Sequence, residues 1–483
     1  MKQKSLVKNV FYNFIYTGLN FLYPLITAPY VSRVLGATNL GKVNFATVVV
    51  SWFILFAVFG TATYGVREVA KVRDDKKALN KVFSEIFIIN GGMSLVVTIV
   101  YLLAIINLGE FKSELPLFSI MALSVILNMF AIDWFFQGIE EYRYIMIRNT
   151  IIKVIALVCM FIFVNEADHY VMFGLISVLA TGLGGVLNYL YSRRFLKLQF
   201  NDINPLRHIK HLWVFFFHTF IVSIYTNLDQ ILLGFLIDTK SVAFMNRTKA
   251  IVGMAVSIST AITNVTLPRA SYYMKTDKFK FRKLLAEVPN YILLISIPIA
   301  IGCICLASNI MYLLGGAEFL EATFLLQVVA LTIILSPLSS YLQYQVLVAS
   351  GKEKFGLYAA AWTSILSLIL NIILIPLIGL LGAAIVQVVA EITAVGIRYF
   401  YAKKKLQYSD IRFVNKSSIS YFFVALPMGG LVSYIDYIIN NMLVSFVVST
   451  VLGGLFYIIV LLLIREKVAM QFFKKFKTRM DKG

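Results

Sequence analysis

Apolar runs separated by short polar segments recur along the whole chain. They lie near 11–32, 43–64, 82–106, 115–137, 144–164 and 169–191, then near 212–237, 243–268, 288–314, 322–348, 356–376 and 380–402, and finally near 416–437 and 441–464. A helix needs about 20 predominantly apolar residues to cross the hydrocarbon of a bilayer. Each run has that length, so the pattern predicts fourteen membrane helices. Lys2, Lys4 and Lys8 precede the first run, which has no small-residue exit of the kind a signal peptidase cuts, so it is expected to be the first membrane helix.

Composition sharpens this picture. Of 483 residues, 59% are apolar and only 14% charged, with a mean hydropathy of +0.82. Soluble domains carry about a quarter charged residues. A soluble enzyme, a fibrous repeat and a disordered chain are therefore excluded. No connecting segment exceeds about 20 residues, which leaves no room for a soluble catalytic domain on either side.

The net charge of +20 changes meaning once it is mapped on the spans. Of 44 Lys and Arg, 36 fall in alternate connections: the N-terminus, 65–81, 138–148, 192–211, 269–287, 351–355, 403–416 and 465–483. The intervening set holds six: Arg33, Lys42, Lys112, Lys240, Arg247 and Lys249. The positive-inside rule then predicts a cytoplasmic location for both termini and an even number of helices in a plasma (inner) membrane. The excess charge is a topology signal with attraction to anionic lipid, and no nucleic-acid partner is expected. Cys159, Cys303 and Cys305 lie inside apolar runs and form no disulfide framework. His208 and His211 have no carboxylate or thiol close in sequence, so neither a metal site nor a cofactor is expected.

Sliding the chain against itself by 202 residues aligns Lys8 with Lys210, Arg67 with Arg269, Asp75 with Asp277 and Lys76 with Lys278. The hydropathy rhythm repeats as six spans and then six. Six is even, so both copies enter the bilayer in the same direction and are expected to be related by an axis along the membrane normal. The expected architecture is all-α: a six-helix lobe over 1–200, a second over 201–406, and two further helices with a basic tail over 407–483.

Several segments resemble a known family. They are Asn20, the run from Pro24 to Gly36 (PLITAPYVSRVLG), Gly41, Tyr64-Gly65-Val66-Arg67-Glu68, Asp133-Trp134-Phe135-Phe136-Gln137-Gly138, Asn227, Asp229-Gln230 and Pro268-Arg269. Together they are similar to the polysaccharide transporters, the Wzx-type oligosaccharide flippases of the multidrug/oligosaccharidyl-lipid/polysaccharide exporter superfamily. The resemblance implies a two-lobed transporter, not an enzyme. Its implied substrate is undecaprenyl-pyrophosphate-linked oligosaccharide, moved to the outer leaflet for capsule, exopolysaccharide or O-antigen assembly. It also implies a cavity lined by helices one, two, seven and eight, contact with membrane lipids, and work alongside a polymerase and other assembly proteins.

Ionisable residues inside spans are costly and usually face the protein interior or a water-filled cavity. Lys153, near mid-bilayer, is expected either to line the cavity or to pair with Asp133. Asp229 and Glu391, with Asp133, are candidates for H+ or Na+ coupling, against the plainer reading of paired structural acids. Five of the six cations in the sparse set cluster in two hairpins that are equivalent under the repeat. Arg33, Lys42, Lys240, Arg247 and Lys249 are accordingly expected to form a cationic rim for a pyrophosphate or acidic sugar. Asn20 and Asn227 are expected at the cavity wall or as bridges between helices. The readings left open are a multidrug/cation antiporter of the same superfamily, a flippase for the peptidoglycan precursor lipid II, and a membrane polysaccharide polymerase.

Overall fold

A computed structural model describes the backbone of residues 6–466 and 468–470; the side chains of 6–17, 19–22 and 110 lie outside that description. The described residues form helices joined by short turns, with no strand. Eleven helices are long and apolar enough to cross a membrane, or twelve if the bent pair Ala317–Val329 and Thr332–Val348 is taken as one span. Two of these exceed any single crossing: Tyr23–Val72 has 50 residues and Glu353–Lys405 has 53, about 75 Å or more at 1.5 Å per residue. Each contains a glycine break. Gly36 adopts φ 71 and ψ 172 within α1 (Leu6–Val58). Gly379 adopts φ 60 and ψ −136 within Glu353–Phe400. Such backbone is reached readily only without a Cβ. The connections expected at 33–42 and 377–379 are thus breaks of one residue, Gly36, and of two, Ile378 and Gly379, rather than loops.

Chain contacts divide the protein into two compact units, Met1–Ser223 with Asp238–Ala243, and Ile224–Ile237 with Phe244–Gly483. The division runs through α7 (Leu206–Leu236).

In the first unit, α2 (Thr61–Val72) follows Gly60, which is left-handed at φ 77. The two motifs that most define the resemblance meet here. A Cβ on Gly65 would stand 2.6 Å from the Trp134 indole, and one on Gly138 would stand 2.6 Å from Val69. The missing side chains let α2 press against α5 (Asp133–Gly138), with Tyr64, Phe83, Phe135 and Phe136 completing a buried aromatic core. The span expected over 115–137 is broken between α4 (Leu115–Leu127) and α5 by a 3₁₀ turn. The carbonyls freed there are not left bare. The Asn90 amide, from α3 (Lys76–Asn107), donates to Asn128 O at 3.0 Å and Met129 O at 3.1 Å.

In the second unit, a buried core around Phe281, Ile292, Tyr341, Tyr421 and Tyr457 binds Lys416–Ile438 and Met442–Leu463 to the helix Lys278–Cys305. The Tyr457 hydroxyl donates to Leu294 O at 3.1 Å. The last two helices are integral to this unit.

The 202-residue repeat has a structural counterpart in its caps. Asp75 accepts from the backbone N–H groups of Lys77 and Ala78 at 2.9 and 3.1 Å. Asp277 accepts from Phe279 and Lys280 at 3.1 and 3.0 Å. Each aspartate starts the third long helix of its set. Large apolar side chains such as Ile99, Ile106, Ile155 and Phe423 are exposed, as expected of surface meant for acyl chains.

Two measurements check this packing. Gly65→Val should lower the stability of detergent-purified protein by about 1–3 kcal/mol, read as a drop in melting temperature, because the indole of Trp134 has to move. The Lys280 backbone N–H and ammonium hold the Asp277 carboxyl below the ordinary aspartate value of 3.8. A lowered carboxyl pKa stabilises the folded state above the unfolded value and loses that effect as pH falls through the folded one. The melting-temperature gap between wild type and Asp277→Ala should therefore be full at neutral pH and close on acidification below about 3.8.

Candidate functional site

The charges buried in the spans are held by specific partners rather than scattered. In the second unit, Asp229 in α7 and Lys249 in α8 (Thr239–Thr276) form an ion pair at 2.7 Å, with side-chain exposures of only 7% and 17%. The Lys249 ammonium also donates to Thr226 O at 2.7 Å. The proposed rim cation and the proposed coupling acid are thus one structure. Arg247, two residues earlier, is half-buried with its guanidinium 5.6 Å from the Phe319 ring centre. Asn227 is half-buried on the same turn of α7 as Asp229. Glu391 lies near Ser336 and in the field of Arg398, whose guanidinium donates to Ser339 Oγ.

In the first unit, Asp133 does not pair with Lys153. Its carboxylate accepts from Arg148 at 3.0 Å and from the Asn188 amide at 3.1 Å. Arg148, nearly buried, is also fixed by Gly184 O and the Asn188 carbonyl. A guanidinium presents five donors in a planar fork and can serve three acceptors at once, which the single ammonium of Lys153 cannot do across that span. Lys153 instead lies half-buried with its ammonium 5.5 Å from the Tyr23 ring centre, a cation–π distance.

The two cations of the first hairpin also have local roles. Lys42 binds Glu114 at 2.7 Å and sits 4.9 Å from the Tyr170 ring centre. The Tyr170 hydroxyl donates to the same carboxylate at 2.7 Å. Arg33 is exposed and donates to Pro29 O of its own helix at 3.0 Å. Asn20 falls outside the described side chains. Arg33, Lys42 and Lys153 belong to one unit, and Arg247 and Lys249 to the other. Among the described residues no three His, Cys, Asp or Glu side chains come together as a metal site would require. Sequence reasoning missed Arg148 and Glu114. Both sit at connection ends, where a charge carries no signal until its buried partner is known.

An all-helical core with span-embedded charges is the architecture of membrane transporters, and solved structures share it. The lipid II flippase MurJ in an inward closed conformation has a TM-score of 0.74 at 18% identity, covering 95% of this chain and 100% of the other. An inward-facing multidrug resistance MATE family transporter of the MOP superfamily has a TM-score of 0.61 at 14% identity, covering 80% of this chain and 95% of the other. At these identities the likeness establishes fold.

The sequence comparisons are more specific. The putative O-antigen transporter of Escherichia coli (strain K12) is 24% identical over 392 residues, 80% of this chain and 94% of the relative. The capsular polysaccharide biosynthesis protein CapF of Staphylococcus aureus is 20% identical over 410 residues, 83% of this chain and 100% of the relative. Residues 6–274 match the polysaccharide biosynthesis protein family, and the chain belongs to it. It is a multi-pass membrane protein of that family.

The buried pair gives a direct test. Lys249→Met alone leaves the Asp229 carboxylate buried without its partner and should cost about 3–5 kcal/mol. Adding Asp229→Asn should recover most of that loss. Melting temperatures of the two single variants and the double provide the cycle, and simple additivity would mean that the two residues do not interact.

Proposed function

We propose that the protein is a flippase that carries a polyprenyl-diphosphate-linked oligosaccharide from the cytoplasmic to the outer leaflet during surface polysaccharide assembly. The observation that carries this reading is the family match over 6–274, joined by relatives named for O-antigen transport and capsule biosynthesis. The fold shared with MurJ is compatible with it. No catalytic step is assigned. Within the same reading, each broken long helix crosses twice, giving fourteen spans. The Lys/Arg-rich connections face the cytoplasm. The membrane is the bacterial plasma membrane, and the chain works beside a polymerase.

The physics favours outward transport. Moving one negative charge outward across an inside-negative potential releases about 2.3 kcal/mol per 100 mV, so a diphosphate is driven out if protein groups shield it from hydrocarbon. Lys153, Arg33 and Arg247 are the cations assigned to that shielding. The lobes alternate access while the lipid tail stays in the bilayer. Coupling to H+ or Na+ through Glu391 belongs to the same proposal. Asp229, already neutralised by Lys249, is the weaker candidate.

Depleting the protein and mapping lipid-linked oligosaccharide between leaflets tests the reading. Accumulation on the cytoplasmic side is expected, and normal outer-leaflet delivery would reject it. Cationic-dye efflux in its place would favour an antiporter, and loss of viability with lipid II arrest would favour the peptidoglycan precursor. Replacing Arg33 and Arg247 together with Gln, at unchanged protein level, should reduce surface polysaccharide by about tenfold, the effect of losing a charge-assisted contact.

A further inference from the structure

The first unit holds a cavity of about 480 Å³ at the Lys/Arg-rich end of its spans, lined by Tyr64, Glu68, Lys81, Arg207, His208 and His211. That volume falls within the usual range for small-molecule sites, roughly 300–1,000 Å³. The floor beneath its lining residues Arg207 and His208 is a wholly buried carboxylate, Glu85, which does not itself line the cavity. Glu85 accepts from the Asn204 backbone N–H at 2.7 Å, from Arg207 Nε at 3.0 Å and also from Arg207 Nη2, and meets His208 Nε2 at 2.9 Å. The other ring nitrogen of His208 meets the Tyr64 hydroxyl at 2.6 Å. A carboxylate is therefore close to His208 in space, 123 residues away in sequence, and it serves to fix Arg207 rather than to bind metal.

The scaffold leaves donors over. Arg207 spends Nε and Nη2 on the floor, remains 46% exposed, and has no partner for Nη1 among the described residues. Lys81, half-buried in the wall, takes part in no ion pair among the described residues. Glu68, the acid in the wall, is already bound by Arg67 at 3.0 Å and Lys71 at 2.8 Å. Counting the partners of the lining residues, two carboxylates, Glu68 and Glu85, stand against four cations, Arg67, Lys71, Lys81 and Arg207, of which Lys81 and Arg207 line the cavity. An excess of two positive charges around the cavity suits a dianion. Arg forks and Lys point charges both suit phosphate oxygens.

We propose that this cavity is a binding site for a phosphoanion, the diphosphate of a lipid-linked headgroup, held between Lys81, Arg207 and His211 before transport begins. The assignment to transport substrate rests on the flippase reading; the phosphoanion chemistry does not. Membrane phospholipid is the other source of the same chemistry.

The test uses the full chain in neutral phosphatidylcholine nanodiscs, titrated with inorganic pyrophosphate by calorimetry. Wild type should bind. Lys81→Gln combined with His211→Gln should weaken binding about tenfold, while Lys81→Arg should keep it and so excludes misfolding as the cause. Equal affinity of wild type and the double variant would overturn the site. Undecaprenyl diphosphate should displace pyrophosphate where phosphatidylglycerol does not; equal displacement by both would overturn the substrate assignment. Leaflet delivery measured in parallel separates the two ideas. Wild-type delivery that the double variant leaves untouched removes the substrate assignment and keeps the flippase. Pyrophosphate binding without delivery by wild type removes the flippase and keeps the site as a phosphoanion site.

Discussion

Hydrocarbon supplies no hydrogen-bond partners, so each polar group that enters a span has to find its partner inside the protein. The architecture follows from that constraint. Where the fourth apolar run breaks, Asn90 reaches across to the two carbonyls that the helix no longer satisfies. Where Asp229 enters the second unit, Lys249 meets it. Asp133 takes Arg148, and Lys42 takes Glu114. Breaks and charges are tolerated because each is answered locally.

The same constraint separates charges that hold the protein together from charges free to serve a substrate. Asp229 and Lys249 neutralise each other, which suits a fixed joint between α7 and α8 better than an open anion site. Arg207 differs. One edge of its guanidinium is anchored on a buried carboxylate and the other edge is left to a cavity. Anchoring of this kind positions a cation without consuming its remaining donors, and it removes the conformational cost of ordering a long side chain when a ligand arrives. Lys153 sits between these cases, placed against the ring of Tyr23.

The family motifs acquire physical content in the first unit. Gly65 and Trp134 lie in separate blocks of sequence, yet each defines the space the other occupies. Gly41 has a similar role, since a Cβ there would stand 2.0 Å from Thr239 O. The repeat, legible as a few identities at an offset of 202, becomes a pair of matched Asp caps on corresponding helices.

Hydropathy alone determined that the chain is an all-helical membrane protein, where its apolar runs lie and which connections are basic, because transfer from water to lipid depends on composition over about 20 residues and not on neighbours. The motifs determined its family. Only the tertiary structure decided that the first and eleventh runs continue through glycine breaks, that Lys153 and Asp133 do not meet, and that His208 stands on Glu85. Those outcomes depend on which groups far apart in the chain come within hydrogen-bond distance, and hydropathy, which averages over neighbours in sequence, carries no record of it.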